Sequence, residues 1–214
     1  MAHIKIAKDY ELKYWKSHKD DPPDGRSVKM VDIFSQNLLQ SSLPKCQEDG
    51  FDLNPFRFLK SCEVSADVGC GPRCGIFQTY RSPVMYAVDP LWKLYKKEGL
   101  RQIPSGVKIF QGEAEYFTLP QQCDLIVSIN ALDHSGSLKS SIKNIMSNLK
   151  LGGLFCMHIH MRTKKQLNKG HQMLVTEKEI DNMLSAWEVL DKHVYSKCPI
   201  EDKPYKSYVV TVKK

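Results

Sequence analysis

A chain of 214 residues with 42% hydrophobic content has the size of one substantial domain with a single core, which excludes two independent domains. Its 31 Lys and Arg against 24 Asp and Glu leave a net charge of +7, dispersed without any block of five or six basic residues. That favours an anionic small-molecule partner and makes nucleic acid the lesser expectation. Seven cysteines, no basic-apolar leader and no apolar run near the ~18 residues that span a bilayer predict a soluble cytoplasmic protein with free thiols and no membrane partner.

Two helices are predicted first, residues 8–17 with Tyr10, Tyr14 and Trp15, and residues 28–41 with Val31, Phe34, Leu38 and Leu39. Between them, 19–27 contains Pro22-Pro23 and Asp24-Gly25, which break a helix. Residues 1–60 are therefore expected to form a helical cover of the same domain, and 61–214 its core. From Glu63 onward short apolar runs alternate with helical segments, the pattern of a parallel α/β sheet. Strands are expected at 63–68, 84–88, 107–111, 123–129, 153–160, 187–195 and 206–212. Helices are expected at 91–97 and at 138–149, where Leu138, Ile142, Ile145 and Leu149 share a face. Thr176-x-x-Glu179 reads as a capping box opening another helix, and the last two strands, lacking a helical crossover, should pair antiparallel.

The run Asp67-Val68-Gly69-Cys70-Gly71-Pro72-Arg73-Cys74-Gly75 is a strand entering a Gly-rich turn, where a ligand can approach the backbone. Asp89 ends the next strand about twenty residues on, where a carboxylate can accept both hydroxyls of a ribose. A nicotinamide dinucleotide site would want Gly at position 74, which is Cys, and the Asp67 carboxylate would repel its pyrophosphate. The same carboxylate suits a cationic sulfonium and ammonium.

In order, Asp67 to Gly71, Ala87-Val88-Asp89-Pro90-Leu91, Gly112-Glu113-Ala114-Glu115, Cys123 to His134, and Leu149-Lys150-Leu151-Gly152-Gly153-Leu154 resemble class I S-adenosylmethionine (SAM)-dependent methyltransferases over roughly 60–160. The Cys-Gly-Pro-Arg and Asp-Pro-Leu variants are similar to a subgroup with unassigned small substrates. The resemblance implies a Rossmann-like, doubly wound, seven-stranded, mostly parallel sheet with a terminal antiparallel strand, and SAM as cofactor. It places Asp67, Gly69, Cys70 and Gly71 at the methionine end, Asp89 with Pro90 at the ribose, Glu113 and Ala114 by the adenine, and Asn130 beneath the methyl. Arg73 departs from the family's third Gly and either crowds the methionine carboxylate or pairs with it.

Ligands of a parallel sheet bind at its C-terminal strand ends. There the sequence offers Asp133 and His134, then His158, His160 and Arg162, then His171. His134, His160 and Asp133 are the expected proton-handling groups, and His158, Arg162 and His171 the expected substrate contacts. A metal site from the same His and Asp residues is the lesser alternative. The fourth strand runs into Asn-Ala-Leu-Asp-His, without the Pro-Pro-aromatic sequence of base-amine methyltransferases or a Pro-Cys pair, so a small hydroxyl- or amine-bearing acceptor is favoured. An RNA methyltransferase and a SAM-binding accessory protein without catalysis are the alternatives.

Overall fold

The computed structural model describes residues 2–19, 29–30, 32–34, 62–78, 80–201 and 203–214. Seven strands, β1 (Val64–Val68), β2 (Val84–Val88), β3 (Val107–Phe110), β4 (Cys123–Ile129), β5 (Leu149–Met161), β6 (Glu188–Tyr195) and β7 (Lys206–Lys213), form one sheet in the order β3-β2-β1-β4-β5-β7-β6. The neighbours from β3 to β5 are parallel, and β7 runs antiparallel to both β5 and β6. The terminal antiparallel strand thus lies inside the sheet, and β6 is left at the edge.

Helices α1 (Ala2–Ser17), α2 (Trp92–Lys97), α3 (Leu138–Ser147) and α4 (Glu177–Leu184) accompany the sheet. The capping box forms as expected, Thr176 accepting from the Glu179 N–H while the Glu179 carboxylate accepts from Thr176. Alternate residues of β4 enter opposite cores: Ile126 packs with Ile142 and Ile145 of α3, while Leu125 and Val127 pack with Cys74 and Phe77. A sheet covered on both faces must have strands apolar on both sides, which is why they read as continuous runs.

Three boundaries differ from expectation, and the first is α1, which begins at Ala2 and not at residue 8. Strand β5 begins at Leu149, not 153, because Gly152 adopts φ +80° and Gly153 packs where a Cβ would stand 3.0 Å from the Cys123 carbonyl, so the strand passes through both glycines with a bulge. Helix α3 stops at Ser147 because the Asn148 side chain turns to accept from the Leu119 N–H. Of the helix expected at 28–41, residues 29–30 and 32–34 are helical; the remainder, and residues 20–27 of the loop expected at 19–27, lie outside the described residues.

Helix α1 packs Leu12 and Trp15 against Leu91, Tyr95 and Leu100, and is pinned by ion pairs from Lys8 to Glu113 and from Lys16 to Glu98 (2.7 Å). Among the described residues no helix is long and apolar enough to cross a membrane, and the six cysteines are free and buried.

Candidate functional site

β1 pairs with β2 on one side and β4 on the other, so the chain reverses its direction of travel across the sheet at β1, and a crevice opens at the strand ends there. A cavity of about 580 Å³ occupies it, within the range of cofactor sites. Its walls come from the ends of β2, β1, β4 and β5, three strand spacings or about 14 Å across, and from the Tyr10, Glu11, Tyr14 and Trp15 face of α1.

At one end lies the Gly-rich turn. Gly69 and Gly71 have φ of +76° and +59°. A Cβ on Gly69 would lie 2.1 Å from the Ala131 Cβ, and one on Gly71 would lie 3.2 Å from the Trp15 ring, so both positions require glycine. The Gly69 and Cys70 N–H groups donate to the Val88 carbonyl (2.8 and 3.3 Å), tying the turn to β2. Asp89 completes that tie by accepting from the Gly71 and Leu91 N–H groups (2.9 and 2.8 Å), one on each oxygen. Burial pushes its carboxyl up to about 7. Pro90, Glu113 and Asn130 also line the cavity. Asn130 stands at φ +50°, its N–H on the His158 carbonyl (2.9 Å) and its buried Oδ1 without a hydrogen-bond partner.

Asp67 lies behind the turn, not in the cavity wall: it accepts from the Ile76 N–H, and burial, then the Asp89 charge, raise it to about 8. Ala114 is likewise off the wall, its carbonyl holding the Asn144 side chain. Arg73 lines the cavity and turns toward the end of α1, where its guanidinium donates to the His18 carbonyl (2.7 Å) and lies 5.4 Å from the Trp15 ring centre.

At the other end Asp133, from the turn after β4, pairs with Arg162 at the end of β5. His134 Nε2 stands 3.8 Å from Asp133 Oδ1, and His171 Nε2 stands 3.8 Å from Oδ2. The two imidazoles are 4.3 Å apart between centres. Asp133 is buried, and desolvation alone would raise it, yet the adjacent His134 and His171 rings and the Arg162 guanidinium outweigh that and hold its carboxyl below the usual range. His171 is lowered to about 3 by burial and stays neutral. Its Nδ1 donates to Asn168 Oδ1 (3.1 Å), which also accepts from the Gly170 and His171 N–H groups, leaving Nε2 as a lone pair.

His160 lines the cavity with both nitrogens engaged, Nδ1 toward Arg162 (3.4 Å) and Nε2 toward Cys198 Sγ (3.2 Å). It therefore offers no free lone pair to an acceptor. His158 is fully buried against Ser207 (3.1 Å), lowered to about 3 by burial, and does not reach the cavity; two residues earlier on the strand is about 7 Å deeper. The sequence reading did not name Glu11, whose Oε2 is 4.0 Å from His134 Nε2, nor Asn168, Lys203 and Tyr205. The Arg162 guanidinium lies 4.6 Å from the Tyr205 ring centre. These residues come from α1 and from two loops, where no spacing announces them.

The chain has the Rossmann-like fold of class I SAM-dependent methyltransferases. It is similar to the N-methyltransferase NodS of Bradyrhizobium japonicum WM9 in complex with S-adenosyl-L-homocysteine (SAH), at TM-score 0.60 and 13% identity over 95% of this chain and 98% of that one. A SAM-dependent methyltransferase from Mesorhizobium loti matches at TM-score 0.54 and 16% identity over 74% of this chain and 95% of that one. The [4+2]-cyclase SpnF matches at TM-score 0.53 and 12% identity over 75% and 80%. No protein-family model and no curated protein matches the sequence.

Proposed function

We propose that this protein is a cytoplasmic enzyme that transfers a methyl group from SAM to a hydroxyl or amine of a small molecule bearing an anionic group. One observation carries the reading: a single cavity joins the corner made by the Gly-rich turn and Asp89 to His134, His171 and Arg162, which surround Asp133, itself off the cavity wall. SAM supplies the electrophilic methyl when bound. Asp89, already fixed by two backbone donors, has lone pairs left for two ribose hydroxyls, and Pro90 and Glu113 border the adenosine. The unpartnered Asn130 Oδ1 is an acceptor suited to an ammonium or to the acceptor's own N–H or O–H.

Displacement from a sulfonium needs alignment above all, and positioning supplies on the order of 7–11 kcal/mol in favourable cases. The new bond forms between the acceptor heteroatom and the methyl carbon; the C–S bond breaks and its electron pair stays on sulfur. The acceptor's proton passes to His134, where the Asp133 carboxylate, 3.8 Å from Nε2, stabilises the resulting imidazolium. Arg162 and Lys203 supply positive charge for an anionic acceptor. Calorimetric titration with SAM, SAH and NAD tests the reading. Saturable binding of the two adenosyl sulfur compounds is expected, and binding of NAD alone would overturn it.

A further inference from the structure

We propose that Asp133, His134 and His171 form a two-histidine, one-carboxylate site for a divalent first-row transition ion, open toward the cavity. One ligand atom from each residue lies within 4.8 Å of the other two. With ligand bonds of ~2.0–2.2 Å, two donors on one ion stand ~3–4 Å apart, so the 3.8 Å from His134 Nε2 to Asp133 Oδ1 and from His171 Nε2 to Asp133 Oδ2 need little adjustment. The same separations are too long for hydrogen bonds, so the cluster is gathered without being bonded to itself.

The second observation is an orphaned acceptor. Asp133 is 3% exposed, and its Oδ1, the oxygen facing His134, has no hydrogen-bond partner among the described residues, while Arg162 occupies Oδ2. An unpaired carboxylate oxygen in a buried site is destabilising unless a ligand completes it. Supports are in place behind the donors: Arg162 fixes the carboxylate, and Asn168 fixes the His171 tautomer so that Nε2 presents its lone pair. Glu11 of α1, its Oε2 4.0 Å from His134 Nε2, stands ready as a fourth donor.

A second cluster, His158, His160 and Cys198, also has metal-ligating chemistry, but its imidazole Nε2 atoms are occupied by Ser207 and Cys198. The N₂O donor set suits zinc, iron, manganese or cobalt. Both imidazoles line the cavity, so the open positions of the ion face the acceptor. The role in catalysis rests on the methyl-transfer reading: the ion would take an acceptor hydroxyl, lower its pKa and release its proton to solvent, and the oxygen would then attack the methyl carbon as above. His134 and His171 act in that case as ligands, and a catechol-like or hydroxy-acid acceptor able to bind through two oxygens is the class expected.

The test is titration of chelator-treated full-length protein with Co²⁺, followed by its visible ligand-field bands, and with Zn²⁺ in competition. One equivalent should bind without a thiolate charge-transfer band. Affinity should fall more than about tenfold in His171→Ala and in Asp133→Asn, and stay unchanged in Cys198→Ser. Asp133→Asn leaves Arg162 buried without its carboxylate and is the variant at risk of misfolding; His171→Ala carries the test in that event. No saturable binding to the wild type, or binding lost in Cys198→Ser and kept in His171→Ala, would overturn the proposal. SAH titration of the metal-free protein reads the cofactor corner separately, so a failure there counts against the methyl-transfer reading and not against the ion.

Discussion

Replacing Asp89 by Asn separates the two tasks the structure gives this carboxylate. In the folded chain its oxygens accept from the Gly71 and Leu91 N–H groups at 2.9 and 2.8 Å, which holds the Gly-rich turn against the end of β2. The carboxamide keeps one acceptor oxygen and sets an NH₂ group against the other donor. One buried bond of the turn is lost, and the remaining oxygen is neutral. A hydrogen bond to a charged group is worth ~1.5–3 kcal/mol, so the loss of one ribose contact should weaken SAH binding about 10- to 150-fold. Calorimetric titration beside a thermal melt reads both tasks. Weakened binding with a lowered Tm is expected. A lowered Tm with unchanged affinity would refute the placement of the ribose, since the turn would then depend on Asp89 and the ligand would not. The wild type adds a pH signature: because burial raises Asp89 to about 7, its ionised fraction grows as pH rises, and SAH affinity should increase through that value and level off above it. The same profile should be flat for Asp89→Asn.

Gly69→Ala forces a side chain at φ +76° to within 2.1 Å of the Ala131 Cβ, and is expected to lower the Tm by on the order of 10 °C; an unchanged Tm would mean that the close approach is not there. His134→Ala and His171→Ala should each reduce turnover while SAH affinity stays within about twofold, because neither makes a hydrogen bond to the Gly-rich turn or to Asp89; a collapse of SAH binding would assign them a structural role. For stability, His158 and His171 have folded values near 3, below the ordinary 6.5, so the unfolded chain binds more protons between those values and each favours the fold as pH rises. Asp67 and Asp89, raised from 3.8 to about 8 and about 7, do the opposite between those limits. The four contributions cancel from about pH 4 to 6.5, and stability should then fall as pH rises toward 8, by less in Asp67→Asn. Denaturant midpoints that keep rising through pH 8 would show that these carboxyls are not buried as described.

The sheet was readable because a doubly covered strand must be apolar on both faces, so the runs at 84–88 and 123–129 stand out from their polar surroundings. Asp89 was readable for a similar reason, since a fixed βα spacing carries it to the turn. The far end of the cavity is a different matter. Asp133 and Arg162, which pair there, are 29 residues apart. Nothing local in either sequence neighbourhood expresses such a pairing. His158 shows where a periodicity argument stops: alternation along β5 correctly puts it on the same side as His160, but depth along the strand decides that only His160 meets the cavity. Arg73 could be assigned a partner only once the end of α1 was in place above it.

The position of β7 bears on how the chain can fold. Among the described residues β6 has no hydrogen-bonded neighbour except β7, and β7 is also the partner of β5. During synthesis, β6 therefore leaves the ribosome before any strand exists for it to pair with, and its edge stays unsatisfied until residues 206–213 arrive and insert between it and β5. A nascent chain arrested before β7 should expose two unpaired strand edges, which are the surfaces that chaperones engage and that seed aggregation.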